Sequence, residues 1–298
     1  MNSSQLLPNL FFLGGGRTGG ALAFYFLRQG IPVISVVEKN PERLNFLKTE
    51  LRWKFLDSQI DLQKLSSADI IFLTVQDDHL SEVAGDLSHI EIAWKNKLVL
   101  QCSGALSALM LSPLQKVGAE IGSFHPIYSF STDPRENRLL DKVWFNIEGS
   151  TDVLIKIEEK FSFLKDRLIR IQQEQKQAFH LACVFYSNFY VALAQIINEL
   201  QKDGALPSKD LFHIFYPLLQ SAIDQVLKHG PEGALTGPVK RGDRKTILAH
   251  IKYLQEHHPD LLPIYLMLSQ RLLSLSHLPS KDQDEFTKLF QEALSTLH

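Results

Sequence analysis

The sequence predicts an α/β fold in which a mostly parallel sheet covered by helices is followed by an all-helical second domain. Three observations predict it. From Asn9 to about Ile171 short apolar runs alternate with helical stretches, the rhythm of strand–helix–strand units. Several of those runs are apolar without alternation, as expected of strands covered on both faces. After Gln172 no strand pattern recurs, and long helical patterns take over. The expected domains are residues 1–172 and 173–298.

The strand candidates are 10–13, 33–37, 70–75, 98–102, 120–123, 144–148 and 168–171, most of them rich in branched or aromatic residues, which fit a pleated sheet. The helices expected beyond them are 174–202, 208–228, 243–256, 260–275 and 281–296. Ser208, Asp243 and Asp260 are candidate N-caps, because a short side-chain oxygen accepts from the free amides of a first helical turn.

Composition narrows the function classes. The 298 residues carry 31 basic and 33 acidic side chains, a formal net charge of −2, and are 45% hydrophobic. That is a globular composition with no global field to hold nucleic acid or an anionic membrane. The two cysteines, Cys102 and Cys183, make neither a disulfide framework nor a cysteine metal cluster. No metal is expected. The residues before Leu10 include no Lys or Arg, so a secretory signal is not expected, and the expected location is the cytoplasm. Residues 177–198 carry no Asp, Glu, Lys or Arg and suit a bilayer in length. Six polar residues within them argue for a buried soluble helix instead.

The first strand candidate runs into Gly14-Gly15-Gly16-Arg17-Thr18-Gly19, which opens a helix. This is G-x-G-x-x-G in the setting that binds a dinucleotide, and it makes the first domain Rossmann-type. The first glycine permits the tight turn, the second admits a pyrophosphate to the backbone, and the third lets helix and strand pack closely. Helix amides and dipole stabilise the anion. Glu38, at the end of the second strand, suits the ribose 2′-hydroxyl of NAD and repels a 2′-phosphate. Lys39 and Arg43 lie close by and leave NADP open. Val75, Gln76, Ser103 and Gly104 end the next strands at the carboxyl edge, where the nicotinamide end of a cofactor belongs.

On the helix expected over 174–202, Gln177, His180, Ser187, Asn188, Gln195 and Asn198 fall on one side at about 100° per residue. A polar stripe on a buried helix needs partners and should face a cleft. His180 alone in it exchanges a proton near neutral pH, which makes it the general-acid candidate, with Ser187 or Asn188 orienting substrate. The run Gly122-Ser123-Phe124-His125-Pro126-Ile127-Tyr128-Ser129-Phe130 suits a pocket wall, and His125 and Tyr128 are candidate substrate contacts. Arg241, in the Thr236–Asp243 loop before a helix, suits an anionic substrate.

Together these stretches resemble a family of bacterial oxidoreductase-like proteins. Its members join a Rossmann domain of the type found in deazaflavin-dependent NADP oxidoreductases to a helical domain of unknown function. The resemblance rests on G-S-F-H-P-I-Y-S-F at 122–130, F-H-x-A followed by S-N over 179–188, and A-L-T-G-P-V-K-R-G-D at 234–243. More distantly the chain is similar to ketopantoate reductase, pyrroline-carboxylate reductase and the β-hydroxyacid dehydrogenases. Many of those carry a Lys followed four residues later by Asn on the helix opening the second domain. No Lys-x-x-x-Asn occurs on that helix in this chain, and His180 and Asn188 are the nearest analogues. The resemblance implies hydride transfer between NAD(P) and a small, anionic carbonyl, hydroxy or imine compound. It also implies a homodimer built through the helical domain. The alternative is a non-catalytic NAD(P)-binding sensor or structural dimer, which the missing Lys–Asn pair favours.

Overall fold

A computed structural model describes residues 7–138, 140–204 and 211–295. Its sheet has the strand order β3-β2-β1-β4-β5-β6-β7-β8, with β1 Leu10–Leu13, β2 Val33–Val37, β3 Leu56–Asp57, β4 Ile70–Leu73, β5 Leu98–Gln101, β6 Glu120–Pro126, β7 Phe145–Gly149 and β8 Leu168–Arg170. Every neighbouring pair is parallel except β6 with β7. The expected mostly parallel Rossmann-type sheet followed by helices is what forms.

Strand β1 shows why. All four of its residues are buried, and successive side chains point to opposite faces. Leu10 and Phe12 enter one core with Ala21, Phe26 and Phe72. Phe11 enters the core on the other face with Leu65, Ile71 and Val99. Rings knit the first core together: Phe12 stacks on Phe72 with centroids 4.7 Å apart, and Phe26 stacks on Phe161 at 5.1 Å. Such pairs add about 0.5–1.5 kcal/mol each beyond their buried area.

The helices over the sheet are α1 Arg17–Arg28, α2 Pro41–Thr49, α3 Leu62–Ser67, α4 Asp77–Ser88, α5 Ser112–Lys116 and α6 Thr151–Lys160. Then come α7 Lys176–Tyr186, α8 Asn188–Asp203, α9 Leu211–Ala234, α10 Gly237–Arg241, α11 Arg244–His257, α12 Leu262–Leu273 and α13 Ser280–Ser295. The chain divides into two compact units between Phe189 and Tyr190, so α7 belongs with the sheet. The second unit has its own core, in which Ile247, Ile251, Leu262, Leu266, Phe286 and Phe290 meet.

Several local expectations change. Strand β3 has two residues, too few for a period to register. β6 runs on to Pro126, so His125 sits in the sheet, where a loop was expected. The helix expected over 174–202 breaks at Ser187, whose φ of −117° and ψ of −65° leave helical geometry between α7 and α8. It is also exposed where burial was expected: Leu181, Phe185, Tyr186 and Val191 all face outward. Residues Gln173–Asp203 are long and apolar enough to cross a membrane by length and composition alone.

Asp243 caps α11, accepting from the Thr246 amide at 3.1 Å. Asp260 caps nothing, because α12 starts after Leu261. The expected cap Ser208 lies outside the described residues.

Candidate functional site

The glycine turn after β1 has the three mechanical roles its spacing implies. Gly14 adopts φ +111°, and a methyl group on it would meet the Thr74 carbonyl oxygen at 2.7 Å. Gly19 packs so closely that a methyl group there would lie 2.0 Å from the Gly14 oxygen and 2.4 Å from Thr74 Oγ1. Around Gly16 nothing among the described residues lies within 4 Å of such a methyl position. Gly16 is also the N-cap of α1, with no side-chain cap and no acidic residue in the first turn. The amides of Arg17, Thr18 and Gly19 therefore face an open mouth, which fits a diphosphate.

That mouth opens into a cleft of about 890 Å³ lined by Gly14, Gly16, Glu38, Lys39, Val75 and Gln76 among others. Glu38 is fixed by two backbone amides, accepting from Gly15 N at 2.9 Å and Asn40 N at 2.8 Å. Arg43, read as a phosphate candidate, spends its donors elsewhere. Its guanidinium donates to the carbonyls of Gly15 (2.8 Å), Thr132 (2.6 Å) and Gly16 (3.1 Å), and lies over the Phe46 ring. The glycine turn is thus held from both sides, by a carboxylate on its amide and a guanidinium on its carbonyls.

The loop after β5 joins this cleft to a second one. Ser103 Oγ donates to Asp77 at the start of α4 (2.7 Å) and accepts from the amides of Ala105 and Leu106. Its own amide donates to Gln101 Oε1. Gly104 then supplies a flat floor for two imidazoles: a methyl group on it would lie 2.5 Å from His180 Nδ1 and 2.9 Å from His125 Nε2. The rings are edge to face, with centroids 6.2 Å apart.

His125, Tyr128, His180, Ser187 and Asn188 all line a cavity of about 520 Å³, together with Pro126, Ile127, Ser129, Phe179, Ala182, Cys183, Val184 and Tyr186. The sequence-predicted catalytic and substrate residues of the first unit therefore do meet. No Asp, Glu, Lys or Arg is among the described residues lining the cavity. Gln177 turns to the Ala105 carbonyl (3.3 Å), and Gln195 pairs with Glu199 along its own helix (2.9 Å). Arg241 lies in the second unit as the last residue of α10, with Gly242 at φ +65° closing that helix. The expected loop before α11 is thus itself helical.

Burial sets the protonation states. His125 Nδ1 lies 2.9 Å from the Cys102 carbonyl. Desolvation first, then Lys176 and His180 nearby, push its pKa down to about 4 against the lift from that hydrogen bond. The Cys102 thiol is pushed well up by burial, which makes it inert packing.

Sequence reasoning passed over Lys176. The side chain is 1% exposed and donates to Ser123 Oγ at 2.7 Å and to the Ser103 carbonyl at 3.2 Å. Burial lowers its pKa, and Glu148, Cys102 and Asp77 raise it. It opens α7 one turn before His180, the residue that stands where a Lys-x-x-x-Asn pair would place its Asn. The available signal was a Lys four residues before the one titratable group of the stripe. Glu148, also missed, is buried on β7 and accepts from Ala108 N (2.8 Å) and Ser107 Oγ (3.1 Å).

Residues 9–104 match the family described as NADP oxidoreductase, coenzyme F420-dependent, and residues 143–272 match a domain of unknown function, DUF2520. No curated protein sequence matches the chain. Among solved structures, a candidate NADP oxidoreductase from Bacteroides fragilis is 22% identical with a TM-score of 0.73, covering 90% of this chain and 98% of its own. A Thermotoga maritima protein is 23% identical at 0.64, covering 93% and 98%. A pyrroline-5-carboxylate reductase from Coxiella burnetii is 13% identical at 0.56, covering 96% and 98%. At these identities the likeness is one of fold.

Proposed function

We propose that this chain, an F420-dependent-type NADP oxidoreductase segment followed by a DUF2520 domain, is a nicotinamide-dependent reductase acting on a carbonyl or imine carbon, with His180 as proton donor. One observation carries the reading. A diphosphate-sized mouth at Gly16 and an imidazole-lined cavity at His125 and His180 lie along the same carboxyl edge of one sheet, joined through Asp77, Ser103 and Gly104. Ligands bind along that edge in open α/β sheets.

A nicotinamide cofactor, held by the glycine turn and Glu38, would supply or accept the hydride. Everything else is done by the chain. The first-turn amides of α1 hold the diphosphate, and Glu38 holds a ribose hydroxyl. His180 gives a proton to the developing oxyanion or nitrogen, and Ser187, Asn188 and Tyr128 orient the substrate. Lys176 acts as a positioning residue, its ammonium tying the Ser103 carbonyl to Ser123. Pro126, Ile127, Phe179 and Val184 suit an apolar part of the substrate. No cation among the described lining residues of this cavity is placed to meet an anionic group.

NAD is favoured over NADP because Glu38 lines the cleft at the end of β2, where a carboxylate suits a ribose 2′-hydroxyl and repels a 2′-phosphate, and because Arg43 has its donors committed to backbone carbonyls. The non-catalytic sensor remains the second reading, supported by the absent Lys–Asn pair. The protein is read as cytoplasmic, with two free thiols, and as a homodimer. Leu218 and Leu227 on α9 are 69% and 78% exposed and Tyr186 on α7 is 81% exposed, apolar surface that a second copy covers.

Fluorescence titration with NADH and NADPH tests the reading. Saturable NADH binding, tighter than NADPH, is expected. Binding of neither removes enzyme and sensor alike.

A further inference from the structure

His125 and His180 come from distant parts of the first unit, yet their nitrogens converge. The Cys102 carbonyl only accepts, so His125 Nδ1, 2.9 Å away, must carry the ring proton. In the neutral ring that leaves a lone pair on Nε2. His180 Nδ1 is buried and has no hydrogen-bond partner among the described residues, although buried polar atoms as a rule have one. Both nitrogens approach the same point over Gly104, at 2.9 and 2.5 Å. Their separation is therefore no greater than a direct or one-water hydrogen-bond link spans.

We propose that His125 is a positioning residue for the proton donor: its Nε2 lone pair, through one bridging water, holds the proton of His180 on Nδ1. This deepens the reading of His180 as proton donor and rests on it. The resulting chain runs from the Cys102 carbonyl through His125 to His180. His180 Nε2 is the nitrogen left for the cavity. In the imidazolium, Nε2–H gives its proton to the substrate oxygen or nitrogen as hydride arrives at carbon. The ring that remains is the neutral Nδ1–H tautomer, already matched to its acceptor.

The surroundings support a neutral acceptor. The charged groups facing His125 are Lys176 from α7 and Asp77 from α4, with His180 itself the third titratable neighbour. Burial, the ammonium and the second imidazole all disfavour a charge on His125. A second imidazolium beside His180 would have no lone pair to offer and would repel it. The floor has to be glycine, because a side chain at Gly104 would occupy the space where the two rings converge.

Nitrogen-15 NMR of the histidine side chains in the intact protein tests this without any substrate. The expected result is that both His125 and His180 are Nδ1–H tautomers at pH 8. In His125→Phe, His180 should shift to the Nε2–H tautomer, since the acceptor for its Nδ1–H is lost. His125→Gln, whose Oε1 can accept where Nε2 did, should restore the wild-type tautomer. A wild-type His180 found as Nε2–H overturns the proposal even if neither variant folds. So does a His180 tautomer unchanged in folded His125→Phe. The NADH titration is read separately, so failure of cofactor binding and failure of the histidine link are distinguishable.

Discussion

Two alanine substitutions in the glycine turn separate a packing role from a ligand role. In Gly19→Ala the new methyl group would lie 2.0 Å from the Gly14 carbonyl oxygen and 2.4 Å from Thr74 Oγ1, more than an ångström inside ordinary contact with the first. The first obstacle is backbone, so helix α1 has to move away from β1. Overpacking of this kind costs about 1–3 kcal/mol, and a fixed backbone contact puts it at the upper end. Better helix propensity returns about 1 kcal/mol. The net loss is about 2 kcal/mol, or about 4–8 °C in Tm for a unit of this size. In Gly16→Ala the methyl group enters open space at a backbone of φ −61°, so stability should stay within about 0.5 kcal/mol of wild type. NADH affinity should nevertheless fall tenfold or more, about 1.4 kcal/mol, because the methyl group occupies the approach to the α1 amides. Thermal denaturation and NADH fluorescence titration of both variants give the four numbers. A Gly19→Ala protein as stable as wild type would refute the packing argument. A Gly16→Ala protein with wild-type affinity would place the diphosphate elsewhere.

Other outcomes follow from the same geometry. Glu38→Ala should weaken NADH about tenfold and narrow the NADH-to-NADPH preference by losing one charge-assisted hydrogen bond to the ribose; an unchanged ratio in paired titrations counts against NAD. Asp243 has its pKa lowered, chiefly by hydrogen bonds from Thr246, so its contribution is present above the ordinary value of 3.8 and is lost as pH falls through the lowered folded value. Circular-dichroism melts of Asp243→Ala should accordingly lose less stability between pH 7 and pH 3 than wild type. For Lys176 the sign is opposite in origin: burial lowers its folded pKa below 10.5, the unfolded chain binds the proton more readily, and stability rises with pH up to 10.5. Lys176→Met should flatten that rise in melts between pH 8 and pH 10.5. Sedimentation of wild type should give a dimer that Leu218→Glu with Leu227→Glu converts to monomer; a wild-type monomer ends the dimer proposal.

What the sequence disclosed was local. The glycine turn, Glu38 and the buried strands declare themselves because each is a short run whose geometry its own residues impose. Leu10–Leu13 can satisfy a two-sided apolar run only between two cores. The two-residue β3 left no such run, and the extension of β6 through His125 depends on pairing with Asn146 on β7, a partner no periodicity names. The polar stripe identified His180 correctly as a cavity residue, but its regular phase assumed an unbroken helix, and Ser187 breaks it.

Lys176 was passed over, and the helix over 174–202 was expected to be buried, for a common physical reason: burial is a relation between segments. A lysine opening a helix opposes the helix dipole and reads as a solvated side chain. It becomes a buried ammonium only because Ser123 and the Ser103 carbonyl are waiting on β6 and after β5. Conversely, a helix apolar around most of its circumference reads as a core helix, and a second copy of the chain would satisfy that pattern as well as its own core does. The exposed Tyr186 and Leu227 are thus consistent with the same hydrophobic signal and move its satisfaction from the fold to the assembly.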